Sequence, residues 1–226
     1  MTTRMKALSL IFLLLLFVGT LTLLADDPQR YVDVGGSSSY YPLTVGSQWE
    51  YDTRLGRITA LVEEGSDDGD VVYRLTSSFG ISYDFVFTID GNEIHNTQRS
   101  ISALLWSEGY AYTPAIVMFD FPLFDGKEWL WSGEGIETKR VAEAVLRGTV
   151  LGEETIMSGE DLYVCLVVSI VYADENAKRE ELRMWLAPGV GMVKGIMTIE
   201  GSGVLRVVSR IIGSELHLNL LDFSVL

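Results

Sequence analysis

The sequence is poor in the residues that build reactive or cross-linked sites. Of 226 residues, one is cysteine and two are histidine. A single cysteine cannot close an internal disulfide, so a disulfide scaffold is excluded. One Cys and two His are also too few for a Cys/His zinc centre. Positive charge is scarce, with 17 Lys and Arg against 31 Asp and Glu, a formal net charge of −14. A surface of that sign does not suit nucleic acid, whose phosphates need a basic partner. Long amphipathic helical patterns are missing, and proline is limited to five residues. What remains is 48% hydrophobic and 11% aromatic, too apolar for a disordered chain.

There is one long apolar run. Arg4 and Lys6 precede LSLIFLLLLFVGTLTLL at Leu8–Leu24, and Asp26, Asp27 and Pro28 end it. A basic start, an apolar stretch and a polar break are the parts of a secretory signal peptide. The other reading is a retained anchor, although the run is slightly short of the roughly 20 residues a spanning helix needs. Either way the remainder of the chain is exported, to periplasm, cell envelope or extracellular space. Residues 1–25 are therefore expected to be a signal peptide or N-terminal anchor. Residues 26–39, with the Gly/Ser-rich stretch RYVDVGGSSS, read as a linker. Residues 40–226 read as a single domain, large enough to bury one core.

From Tyr40 onward the hydrophobic period is two. Ile81, Tyr83, Phe85, Phe87 and Ile89 form one apolar strand face, with Ser82, Asp84, Thr88 and Asp90 opposite. Asp90-Gly91-Asn92 supplies a hairpin turn. Further strands are expected at 48–54, 57–64, 71–79, 92–98, 128–131, 147–156, 161–173, 179–187, 192–200 and 204–212. The 161–173 strand is apolar on both faces and should be buried on two sides. Propensity suggests short helices at Thr138–Leu146 and Ser102–Trp106, and His217 falls in a C-terminal tail. The expected fold is all-β, an antiparallel meander forming a curved sheet or a full or half barrel.

A short repeat is present. YPLTVGSQWEY at Tyr41–Tyr51 and FPLFDGKEWLW at Phe121–Trp131 share aromatic-Pro-Leu-x-x-Gly-x-x-Trp-x-aromatic at an offset of 80. Proline cannot donate to a sheet ladder and suits the position before a strand. Two readings stay open, an internal duplication and independent reuse of a strand-opening signature.

No catalytic constellation stands out, and the chain reads as non-enzymatic, without cofactor or metal. There is no Gly-x-Ser-x-Gly elbow and no phosphate-cradling loop. His95 is expected to face outward with Thr97 and Arg99. The acidic stretch Glu63–Asp70 lacks the ligand spacing of a calcium loop and reads as a solvated turn. Cys165, within LYVCLVVSIVY, reads as a small buried hydrophobe.

The opening motif at Tyr41–Tyr51, together with Trp185, Ala187, Gly189, Gly191, Val193 and Lys194, resembles a family of uncharacterised exported bacterial envelope proteins. That family opens on YPLxxGxxWxY and closes on WxAxGxGxVK. The resemblance implies an envelope-associated all-β fold and supplies no functional residue. Many members resemble lipoproteins, and this chain departs from them in having no cysteine near the apolar run. The expected function is a non-enzymatic binding module for a hydrophobic ligand, with lipid or an envelope protein as partner and no nucleic acid. Tyr83, Phe85 and Phe87 are the candidate ligand face, as in half-barrels that carry lipid. The alternative is a self-packed structural or interaction protein, and a glycan hydrolase is a third reading.

Overall fold

The computed structural model describes residues 37–67, 69–103, 106–137, 140–175, 179–200 and 215–226. A 3-10 turn at Ser37–Tyr40 leads into strands β1 (Gln48–Thr53), β2 (Gly56–Glu64), β3 (Val71–Ser77), β4 (Ile81–Asp90), β5 (Glu93–Ala103) and β6 (Trp106–Asp120). Six more follow: β7 (Glu128–Glu137), β8 (Arg140–Ser158), β9 (Asp161–Asp174), β10 (Arg179–Ala187), β11 (Gly191–Glu200) and β12 (Glu215–Ser224). Each strand pairs antiparallel with its neighbours in sequence, and β12 pairs with β1, so the sheet is a closed barrel. The all-β meander read from the period is thus present, and it closes completely.

Several expectations are corrected. The Thr138–Leu146 segment is strand rather than helix from Arg140 onward: Ala142, Ala144 and Leu146 are buried while Val141, Glu143 and Val145 are exposed. Alanine and glutamate favour helix locally, but burial on one side of a sheet overrides so weak a preference. Ser102–Ala103 end β5 and Trp106 begins β6, with Ala103 paired to Trp106, so these residues of the second expected helix are strand, and residues 104–105 lie outside the described ones. β6 escaped notice because Pro114 interrupts its pattern. Its ladder with β7 stops at Thr113, one residue before the proline that cannot donate. The expected tail is β12, whose Leu216, Leu218 and Leu220 face inward while Glu215, His217 and Asn219 face out. The strand expected at 204–212 lies outside the described residues, as does the export segment.

An eight-stranded barrel is filled by ordinary side chains, whereas 16 or more strands leave a channel. The twelve strands among the described residues fall between, and here the interior is filled by aromatics. Tyr41, delivered by the segment before β1, has its ring centroid 4.7 Å from Phe119, 5.7 Å from Tyr73 and 6.0 Å from Phe87. Trp49 lies 5.8 Å from Tyr73, and Phe119 lies 6.4 Å from Trp129. The outer wall carries Gln48, Asp52, Glu143, Arg147, Arg183 and His217 exposed. The same wall also exposes Leu130, Val141, Val145 and Leu221, so it is mixed in polarity, while the interior is apolar, unlike the polar interior of a membrane-spanning barrel.

The repeated segment performs the same task twice. In the first copy Gly46 N–H donates to Val62 O, Ser47 N–H to Thr44 O, and Val62 N–H to Ser47 O. In the second, Gly126 N–H donates to Val150 O, Lys127 N–H to Phe124 O, and Val150 N–H to Lys127 O. Gly46 and Gly126 have φ of 95° and 77°, left-handed values that glycine adopts without strain. Each turn leads straight into a strand whose second residue is a buried Trp. The closing motif meets the opening one: the Trp49 indole donates to Val190 O at 2.6 Å, and the Tyr51 hydroxyl to Met192 O at 3.0 Å.

Trp129 lies flat across its cross-strand partner Gly148. A Cβ there would stand 2.0 Å from the ring, and the ring is held by its own bond to Val117 O at 3.2 Å. Gly148→Ala is therefore expected to destabilise by about 1–3 kcal/mol, the usual range for overpacking. A denaturant melt checks this, and an unchanged midpoint would show that the ring has room to move.

The β8–β9 hairpin extends beyond the wall and folds back. β8 carries a bulge between Val150 and Gly152. Past it, Glu154 accepts from the Trp185 indole at 2.7 Å, and the Ser158 hydroxyl donates to Leu220 O on β12. Trp185 points outward from β10, opposite Lys194 on β11, whose ammonium sits 4.3 Å from its ring centre. The middle of β9 is consequently buried on both faces, Cys165 and Val167 on one and Leu166 and Val168 on the other. The expectation of burial on both sides thus holds for residues 165–168 and is corrected at the start of the strand, where Leu162 and Val164 are exposed.

Candidate functional site

Among the described residues, the strongly polar cluster of the interior centres on Arg99. β5 owes its placement to a bulge. Phe87 pairs with Asn96, but Val86 pairs with Gln98, leaving Thr97 as the extra residue. The Asn96 amide donates to Val86 O and Gln98 O, each at 3.0 Å, and the Thr97 hydroxyl to Val86 O at 3.3 Å, so the irregular backbone is satisfied locally. One extra residue reverses the alternation beyond it. His95 stays on the outer wall, 2.8 Å from Glu93, while Arg99 turns inward opposite Phe85. The expectation that Arg99 shares an outward face with His95 is thereby corrected.

The Arg99 side chain is 7% exposed and that of Glu180, on β10, is 15% exposed; Arg99 Nη1 donates to Glu180 Oε2. The rings of Tyr110, Tyr172 and Tyr112 stand 5.0, 5.1 and 5.6 Å from the guanidinium carbon. Such contacts favour a cation, the more so when desolvated. Burial opposes the charge on Arg99, but Glu180 and the Tyr112 and Tyr83 phenols outweigh it, so the proton is held more firmly than on an ordinary arginine. Burial likewise pushes the Tyr172 phenol up to about 12.

Besides Glu180, the guanidinium meets the Tyr83 hydroxyl, but not every one of its nitrogens is satisfied. Among the described residues no acceptor meets Arg99 Nε or Nη2, the Tyr112 hydroxyl, or the Trp131 indole nitrogen. A buried donor left without a partner costs about 1–3 kcal/mol, and more when it is charged. Arg99 and Tyr112 border a cavity of about 60 Å3 whose apolar walls include Phe85, Ile116, Met118, Leu146 and Ile170. A water molecule occupies about 30 Å3 of liquid, so the free space accommodates only a few heavy atoms.

Tyr83 and Phe85, two of the three candidate ligand-face residues, line this cavity, with ring centroids 4.7 Å apart. Phe87 does not. It is fully buried in the neighbouring aromatic layer, stacked on Phe85 at 5.8 Å. Sequence reasoning missed Arg99 and Glu180 as site residues. The available signal was parity: Ile94 and Ile101 are both inward and buried, yet seven residues apart, which a regular strand forbids.

Other chemically suggestive groups lie elsewhere. The Cys165 thiol is pushed up to about 12, by burial first and then by Glu154. The Glu63–Asp70 turn is closed by Gly65 N–H donating to Asp70 O at 2.9 Å. Among the described residues no three His, Cys, Asp or Glu side chains are placed to share a metal ion. Acids do gather at a groove containing Glu134, Glu143, Asp174 and Glu175, but its lining includes no Trp or Tyr on which a sugar could stack.

No protein-family model matches the chain. No curated protein matches it either. Solved structures do. The hypothetical lipoprotein YmcC from Escherichia coli K12 is similar at 13% identity and a TM-score of 0.42, over 78% of this chain and 87% of that one. A protein of Parabacteroides distasonis ATCC 8503, classed provisionally as a lipoprotein, is similar at 13% identity and a TM-score of 0.45, over 84% of this chain and all of the other.

Proposed function

We propose that the chain is an exported, non-enzymatic binding module of the cell envelope, and that its ligand is engaged by a polar head at Arg99 rather than enclosed as a lipid. The single observation that carries this reading is the buried guanidinium with one edge unpartnered among the described residues, facing a cavity. A site that presents donors to a small space recognises an acceptor group. The apolar-ligand reading is narrowed by volume. Pockets for drug-sized ligands run to about 300–1,000 Å3, and the interior here is already occupied by Tyr41, Phe87, Phe119 and their neighbours. Export rests on the N-terminal sequence, Arg4 and Lys6 before Leu8–Leu24. The non-enzymatic reading is supported by the positions of the two histidines, His95 and His217, on the outer wall beside Glu93 and Glu215, away from the cavity.

The test is nuclear magnetic resonance on 15N-labelled full chain, following the Arg99 Nε–H signal, assigned with Arg99→Lys. Acetamide, dimethyl sulfoxide, acetate and phosphate are added in turn at millimolar concentration. At least one is expected to move the signal saturably. A signal unmoved by all four would overturn the reading.

A further inference from the structure

We infer that the group recognised at Arg99 is a carboxylate, carried on a ligand that places few further heavy atoms inside the barrel. This rests on the reading of Arg99 as a ligand-binding residue and names the ligand class. A guanidinium offers two faces and three donor edges. Here its surroundings hold Tyr110, Tyr112 and Tyr172 within cation–π distance, Glu180 occupies Nη1, and the Tyr83 hydroxyl also meets the group. The donors without an acceptor among the described residues are Nε and Nη2. Those two nitrogens form the side edge of the group, where two coplanar N–H bonds run parallel. That edge matches the two oxygens of one carboxylate, a bidentate pairing that a lone carbonyl oxygen cannot reproduce.

Three further observations favour a small monovalent carboxylate among the anions. First, the cavity of about 60 Å3 limits the head to a few heavy atoms, as a carboxylate on a short stub is. Second, Glu180 already balances the charge on Arg99, so a monovalent head leaves a smaller excess than a dianion would. Third, the Tyr112 hydroxyl, also without a partner among the described residues and bordering the same cavity, can donate a third hydrogen bond and spread the added charge. The apolar walls at Phe85, Ile116 and Met118 suit the methyl or methylene next to the carboxylate.

Isothermal titration of the full chain separates the outcomes. Sodium acetate and sodium propionate are expected to bind with one site per chain. Acetamide, the neutral isostere, should bind at least about tenfold more weakly, because charge-assisted bonds are roughly twice as strong as neutral ones. Phosphate should bind more weakly than acetate. Tyr112→Phe, which removes one hydroxyl and keeps the ring, should weaken acetate by about threefold to tenfold while leaving the circular-dichroism melt cooperative. Acetamide binding as tightly as acetate, or phosphate binding more tightly, would overturn the carboxylate assignment and leave Arg99 a binding residue for another class. No saturable heat from any of the four would overturn both.

Discussion

Truncating Trp49 to alanine is expected to cost about 3–5 kcal/mol of folding stability, the usual range for a large buried aromatic. Trp49 is 2% exposed and Trp129, its counterpart in the second copy of the repeat, is 7% exposed. Each removal opens a cavity in the aromatic filling and strands a carbonyl, Val190 O for Trp49 and Val117 O for Trp129. The first loss is the larger. Val190 O belongs to the β10–β11 turn, so Trp49 ties the opening motif to the closing one across 141 residues of chain. Against a typical stability of about 5–15 kcal/mol, either variant should melt at much lower denaturant. A change under about 1 kcal/mol in both would mean that the two indoles are not core residues.

The second large effect is expected at the buried ion pair. Arg99→Met should destabilise by about 3–5 kcal/mol, because the Glu180 carboxylate is left in the interior without its cation. Replacing both partners, Arg99→Met with Glu180→Met, should recover most of that loss. Desolvating a pair costs about as much as the pair returns, so an apolar substitute of similar volume is often neutral or stabilising. Denaturant melts of the two single variants and the double variant form a thermodynamic cycle. Strict additivity would show that the two side chains do not depend on each other. The comparison also bears on purpose: a pair whose joint replacement leaves stability intact is retained for something other than folding.

Much of the barrel was legible in the sequence, because burying one side of a sheet imposes a period of two. β4 shows it most plainly, from Ile81 to Ile89. The failures share a cause, which is that strand pairing is non-local. β12 alternates as cleanly as β4, but its role in closing the barrel depends on β1, more than 160 residues away in sequence. β8 begins in alanines and glutamates that favour helix locally, and only the facing strands settle the matter. β6 is broken by Pro114, which marks where it leaves β7 rather than where it ends. The site was the least legible part. Its key residue reaches the interior through the single extra residue at Thr97. The inward face of Tyr83 and Phe85 was legible because they belong to a regular strand, and the inward turn of Arg99 was not because it follows a bulge.

The most direct measurement is native mass spectrometry of the protein purified from its native host without denaturation. If the interior is filled by its own aromatics and the ligand is held by a small polar head, the observed mass is that of the polypeptide, or exceeds it by one small carboxylic acid, and gentle activation leaves the polypeptide alone. A stoichiometric adduct of lipid mass, released on activation and retained in Arg99→Lys, would contradict both the filled barrel and the role assigned to Arg99.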